Sequence, residues 1–216
     1  ENRNTVAEGA VARLLKDNPA PFMHKRNARL IECGNFDDDL EKLADCDWIC
    51  EAVIENLEIK HDIYKRVDAV RGKGSIVSSN TSTIPLAELV RGQSDEFCAD
   101  FAVTHFFNPP RYMRLLELVG GAATRPEVLA ALESFCDVRL GKEVVTAKDT
   151  PGFIGNRIGI YWSSTAMSQA IELGLSIEEA DAIVGQPMGI PRTGIFGLID
   201  LTGIDLAPHV NESMLR

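Results

Sequence analysis

The spacing of apolar positions changes along this chain, and the change divides it. Val6, Ala10, Val11, Leu14 and Leu15 recur at helical intervals, which predicts a helix over Thr5 to Lys16, stopped by Asn18-Pro19-Ala20-Pro21. Phe22 to Leu30 reads as a second, basic helical segment, and Asp37 to Ala44 as a short helix after a turn at Asn35. The run Asp47 to Ile54 is almost continuously apolar and predicts a strand. Leu57 to Val70 then carries Ile59, Ile63, Tyr64 and Val67 at helical spacing. Further strands are expected at Ser75 to Ser79, Phe101 to His105, Leu115 to Val119 and Glu143 to Thr146. Pro85 opens a short helix to Val90, and Arg125-Pro126 precedes a helix to Leu140.

Strands alternating with helices over short connections imply βαβ units and a largely parallel sheet. After Thr150-Pro151-Gly152 the strand signal stops. Ile154 to Leu173 is a long amphipathic helix, Ser176-Ile177-Glu178-Glu179 is a capping-box signature for another, and Gly194 to Leu201 is a short apolar helix or turn. The expected organisation is an α/β domain over residues 1–149 and an all-α domain over residues 150–216.

Composition narrows the partners. Hydrophobic residues make up 45% of the 216 positions and charged residues 25%, enough for an ordinary core. A net charge of −10 argues against nucleic acid or an anionic membrane surface as the main partner. No uncharged apolar run reaches the ~18 residues of a membrane span. The five cysteines are odd in number and scattered, which suggests reduced thiols and a cytoplasmic setting. Cys46 and Cys50 lack a matching His or Cys pair, so no metal site is expected.

The chemistry concentrates in Thr104-His105-Phe106-Phe107-Asn108-Pro109-Pro110 and Leu115-Leu116-Glu117-Leu118-Val119. One histidine ends a strand and one carboxylate sits mid-way along the next. Neighbouring strands joined by a Pro-rich turn can bring the two together as a general base with a stabilised cationic form. A buried histidine satisfied by a carboxylate would give the same pattern. Ser78-Ser79-Asn80-Thr81-Ser82-Thr83 adds hydroxyls at another strand end, where open parallel sheets place ligands, although Ser82 also suits a turn or cap. Asn156 adds an amide in the first turn of the long helix. Gly194-Ile195-Phe196-Gly197 fits a packing turn better than a phosphate loop, since no strand feeds a helix there.

Several stretches resemble the L-3-hydroxyacyl-CoA dehydrogenases, the NAD-dependent β-oxidation enzymes found alone or fused to enoyl-CoA hydratase domains. They are Glu51-Ala52-Val53-Ile54-Glu55-Asn56-Leu57, Ser79-Asn80-Thr81-Ser82, His105-Phe106-Phe107-Asn108-Pro109, Leu116-Glu117, and Lys148-Asp149-Thr150-Pro151-Gly152-Phe153 with Asn156-Arg157. Pro187-Met188-Gly189 and Gly197-Leu198-Ile199-Asp200 extend the match. The resemblance implies a Rossmann-like NAD-binding domain followed by an α-helical domain. It makes His105 the catalytic base and Glu117 its partner. By the same carry-over, Ser82 and Asn156 position the substrate and the nicotinamide end, and Val53, Glu55, Lys60, Ser82 and Asn108 fall at cofactor-contacting positions. The implied substrate is an acyl-CoA and the implied assembly a homodimer, with Ile154 to Leu173 as an apolar face. Arg111, Arg114, Lys148 and Arg157 are candidates for local positive charge near the CoA phosphates.

The family begins with a strand, a glycine-rich turn and a helix that seat the pyrophosphate on backbone N–H groups. This chain contains no Gly-x-Gly-x-x-Gly, and its helical part looks short. The expectation is an internal fragment, with a truncated Rossmann-like sheet and an incomplete helical domain. Two alternatives stay open: a non-catalytic binding or scaffold fragment of the same fold, and a related dehydrogenase acting on a free hydroxy acid. The residues do not encode acyl-chain preference.

Overall fold

The computed structural model describes residues 2–190 and 193–202, and they form two compact units. The first runs to Thr81 and resumes over Leu86–Lys148; the second takes Ser82–Pro85 and the described residues from Asp149 onward.

The first unit is built on five strands: β1 Trp48–Glu51, β2 Ile76–Ser79, β3 Phe101–Phe106, β4 Leu115–Gly120 and β5 Glu143–Ala147. They lie side by side in chain order. β1, β2 and β3 pair in parallel, β3 and β4 antiparallel, and β4 and β5 again in parallel. Each parallel step has a long connection. α2 (Leu57–Val70) links β1 to β2, α3 (Leu86–Leu89) and α4 (Asp95–Ala99) fall between β2 and β3, and α5 (Pro126–Leu140) links β4 to β5. The stretch 107–114 is too short for a crossover, so β4 must run back along β3.

Local chemistry explains where these elements start and stop. α2 begins at Asn56, whose side chain accepts the Ile59 N–H, and it buries Lys60, Ile63, Tyr64 and Val67. α5 begins with Pro126 at its first turn and ends at Gly141, whose φ of 66° is a left-handed cap. β1 is shorter than its apolar run because the Glu51 carboxylate accepts the Val53 N–H at 2.6 Å and turns the chain out of the ladder. The segments expected as helices near Phe22–Leu30 and Asp37–Ala44 are single 3₁₀ stretches, Lys25–Leu30 and Leu40–Asp45, and neither buries a residue. Asn35 accepts the N–H groups of Asp37 and Asp38, which makes a turn where a longer helix was expected. α4 escaped the periodic pattern because it is one turn long, held by Ser94 capping Phe97. The first helix, α1, spans Thr5–Leu14.

The two faces of the sheet differ. One buries Ala102 and Leu118 under Val128 and Leu132 of α5, with Trp48, Ile76, Leu129 and Val144 around them. On the other, Tyr64, Phe97 and Phe101 stack within about 5.5 Å of one another. Ser78 and Thr104 share a 2.8 Å hydrogen bond, and the Trp48 indole N–H donates to Ser78. Ser78 is therefore an internal core hydroxyl.

In the second unit, α6 (Gly155–Glu172) is followed by α7 (Ile177–Ile183) and α8 (Phe196–Thr202). The Ser176–Glu179 capping box closes in both directions. Asp181 accepts the N–H groups of Ile195, Phe196 and Gly197, so a protein carboxylate sits at the start of α8. Gly194 has φ of 65°, and a Cβ there would fall 2.6 Å from the Asp181 Cα. Among the described residues, no helix is long and apolar enough to cross a membrane.

Cys136 of α5 is fully buried, and burial pushes its thiol up to about 11. A raised folded value means that the neutral thiol's contribution is complete below the ordinary 9.0 and is lost as pH rises through about 11. Cys136 is expected to resist iodoacetamide at pH 8 in the folded chain while Cys33 and Cys46 react. Cys136→Ala is expected to flatten part of the fall in urea stability between pH 9 and 11. Mass spectrometry of the labelled chain and urea titrations across that range check both, and labelling of Cys136 as fast as Cys33 would contradict the packing.

Candidate active site

The antiparallel register of β3 and β4 places His105 directly opposite Glu117. Their side chains meet: His105 Nδ1 and Glu117 Oε2 are 2.7 Å apart. Glu117 is fully buried and His105 is 6% exposed, so water screens this pair weakly. An ionised carboxylate can only accept, which assigns the Nδ1 proton to His105 and gives Nε2 the lone pair in the neutral ring. The Phe107 ring lies against the imidazole at 4.6 Å between centroids. The geometry is that of an oriented base. A proton gained at Nε2 would be stabilised by the carboxylate behind Nδ1.

The loop after His105 is held from beneath. Lys142, directly after α5, donates to the carbonyl oxygens of Pro110 and, at 2.8 Å, Met113. Its ammonium also lies 5.5 Å from the centre of the Phe106 ring. Burial pulls the Lys142 ammonium below its ordinary value. Asn108, in this loop, is exposed. Asn80, at the end of β2, accepts the Phe106 N–H at 2.9 Å and so ties that strand end to the residue beside His105.

The remaining candidates of the first unit gather at the carboxyl ends of β1 and β2. Lys60 is almost completely buried and pairs with Glu51 at 2.8 Å and Glu55 at 3.2 Å. Val53 is drawn into the same cluster, its N–H donating to Glu51. Thr81 donates its hydroxyl to Glu55, which is exposed. Tyr64 donates to Glu51 at 2.6 Å, and burial together with the Glu51 charge pushes its phenol far upward, so it remains a donor.

Ser82 and Asn156 belong to the second unit, Ser82 within the Ser82–Pro85 stretch and Asn156 in the first turn of α6. Of the candidate cations, Arg111 is exposed with its guanidinium 5.8 Å from the centre of the Tyr112 ring, and Arg114 pairs with Glu143 at 3.4 Å. No group of three or more His, Cys, Asp or Glu able to hold a metal occurs among the described residues.

Sequence reasoning passed over Glu51, Tyr64, Asn80 and Lys142. Glu51 had a readable signal: a carboxylate inside an apolar strand run, nine residues before a lysine that falls on the buried side of α2. Lys142 had none, since its partners are backbone carbonyls.

Known proteins resemble this chain along its length. The family profile described as 3-hydroxyacyl-CoA dehydrogenase, NAD binding domain, matches residues 3–150, and the one described as 3-hydroxyacyl-CoA dehydrogenase, C-terminal domain, matches residues 152–216. A probable 3-hydroxyacyl-CoA dehydrogenase of Deinococcus radiodurans is 44% identical over 209 residues, which is 97% of this chain and 60% of that protein. A putative fatty acid oxidation complex trifunctional enzyme of Rickettsia felis is 39% identical over 215 residues, 100% of this chain and 30% of that protein. Among solved structures, the (S)-3-hydroxybutyryl-CoA dehydrogenase of Ralstonia eutropha superposes with a TM-score of 0.76 at 29% identity, covering 97% of this chain and 72% of that one. The chain thus spans less than two thirds of the length of either curated relative. With both family profiles matched in order across nearly all of its residues, the chain belongs to the 3-hydroxyacyl-CoA dehydrogenase family.

Proposed function

We propose that the protein containing this chain oxidises L-3-hydroxyacyl-CoA to 3-oxoacyl-CoA with NAD as cofactor, as a step of fatty-acid β-oxidation. The observation that carries the reading is the buried 2.7 Å contact between His105 Nδ1 and Glu117 Oε2, in a member of this family. His105 Nε2 takes the proton of the substrate's 3-hydroxyl. Glu117 keeps the ring in the tautomer that has its lone pair there, and it stabilises the imidazolium that forms. NAD, when bound, supplies the acceptor for the C3 hydride. In the reverse direction the imidazolium returns its proton to the ketone oxygen.

The cofactor reading is supported by the parallel arrangement of β1, β2 and β3, because open parallel sheets bind dinucleotides at the carboxyl ends of their strands. Glu55, Lys60 and Val53 stand at those ends. The proposed duties of Ser82 and Asn156, holding the substrate and the nicotinamide end, rest on the family resemblance. The β-oxidation setting is supported by the likeness to the Rickettsia felis protein, a putative fatty acid oxidation complex trifunctional enzyme.

Loss of NADH absorbance in the presence of acetoacetyl-CoA tests the reading in the whole protein. Turnover is the expected result, and reduction of the free oxo acid in place of the thioester would overturn the substrate class. His105→Gln is expected to lower kcat by roughly a hundredfold or more, the scale of a lost general base; near-normal turnover would remove His105 from that role. Glu117→Gln should keep the fold and bind substrate as before yet lower kcat, because a neutral amide cannot hold the ring and its Nδ1 proton as the carboxylate does. An unchanged kcat would show that Glu117 only packs against the ring.

A further inference from the structure

We infer that Glu51 is the positioning residue of the NAD site: its buried carboxylate neutralises Lys60 and ties the loops after β1 and β2 to one point at the end of the sheet. The ligand named here rests on the dehydrogenase reading; the buried network does not.

Every part of the Glu51 carboxylate is engaged. Oε1 accepts from the Val53 N–H at 2.6 Å and from Lys60 Nζ at 2.8 Å. Oε2 accepts from Tyr64 at 2.6 Å, from Ser79 at 2.7 Å and from Lys60 at 3.1 Å. Two loops are tied to this one group. The loop after β1 is held by the Val53 N–H, and by Lys60 reaching the Val53 carbonyl at 3.4 Å and Glu55 at 3.2 Å. The loop after β2 is held by Ser79, whose hydroxyl accepts the Thr81 N–H at 3.2 Å, and by Thr81 donating to Glu55.

Charge decides what the cluster presents. It contains one ammonium and two carboxylates, and only Glu55 of the three reaches the surface. A buried ammonium needs a counter-charge. Glu51 supplies that counter-charge inside, and it holds Lys60 where it also reaches the Val53 carbonyl and Glu55. Without the Glu51 charge, Lys60 would lose its buried partner and both loops their shared anchor. Val53 and Glu55 lie on the loop that the family resemblance assigns to the cofactor.

Placement agrees with this role. Glu51 pairs in register with Ser79, and Ser79 with Val103, two residues before His105. Side chains alternate along strands, so Glu51, Ser79, His105 and Glu117 all project on one face, near the carboxyl ends of β1, β2 and β3. A buried ion cluster is often no more stable than apolar residues of equal volume, so packing alone does not call for one here.

The test uses the whole protein with three variants: Glu51→Gln, which keeps shape and removes charge, and Tyr64→Phe and Ser79→Ala, which each delete one donor. NADH binding is read by fluorescence, and KM and kcat are read with acetoacetyl-CoA. Glu51→Gln is expected to raise the NADH Kd by roughly tenfold, equivalent to about 1.4 kcal/mol, while the KM for the acyl-CoA stays within about twofold. Tyr64→Phe and Ser79→Ala are expected to move the same constant in the same direction by less, and they carry the test if Glu51→Gln does not fold. An unchanged NADH Kd in all the folded variants, or equal losses for both substrates, would overturn the assignment in favour of a merely structural carboxylate. A wild-type protein that binds NADH without reducing the thioester overturns the dehydrogenase reading but leaves the Kd comparison decisive for Glu51. One that binds no NADH overturns both.

Discussion

Antiparallel pairing between β3 and β4 is the constraint on which the site depends. All other neighbouring strands of the sheet run in parallel. A connection of eight residues cannot carry the chain back to the start of a parallel strand, so the reversal follows from the length of the 107–114 stretch. The reversal sets His105 against Glu117 across the ladder. Side chains alternate with a period of two, so a slip of one residue would move the carboxylate to the face covered by α5. The apolar neighbours fix the register: Leu118 must meet Val128 and Leu132, and Val119 lies buried on the opposite side. Core packing on one face thereby aligns His105 with Glu117 on the other.

The two faces carry different tasks. Beneath α5 the sheet is apolar apart from short hydroxyl links such as Ser78–Thr104. Toward α2 it combines an aromatic cluster of Tyr64, Phe97 and Phe101 with two sets of buried charges. At the amino end of β3, fully buried Asp100 receives Arg71 at 2.8 Å and also Arg125, which joins α2 to the entrance of α5. At the opposite end stand the Glu51–Lys60 cluster and the His105–Glu117 pair. Buried ions of this kind tolerate little displacement, because each loses much more from a missing partner than it gains from a good one. They tie both ends of this face of the sheet to the elements packed on it.

Much of this was legible in the residues. α2 ends where its apolar spacing ends, and α5 begins at Pro126 and stops at a glycine, as these residue types dictate. The facing of His105 and Glu117 could be read because a Pro-rich turn between two apolar runs admits few other solutions. The expected fold class, a Rossmann-like parallel sheet domain followed by helices, agrees with the family match and with the five-strand sheet. What escaped was short or non-local. β1 was read one residue too early and three residues too far, the latter because an apolar run does not reveal that a carboxylate within it will capture the Val53 N–H. The two 3₁₀ segments looked helical because a pattern over eight or nine residues does not distinguish a buried helix from an exposed coil of turns. Ser79 was grouped with the ligand-facing hydroxyls, whereas its hydroxyl is spent on Glu51 from a strand away.

The Lys142 clamp has a consequence for variation in this part of the molecule. It grips the 107–114 stretch through the carbonyl oxygens of Pro110 and Met113, groups that every amino acid supplies. The grip is therefore blind to side-chain identity. Side chains at residues 110–114 can change while the path of the backbone beside His105 is preserved. Lys142 itself cannot drift so freely, because a buried ammonium is what gathers the two oxygens. One buried cation thus frees the side chains of its neighbours from the task of shaping the loop beside His105.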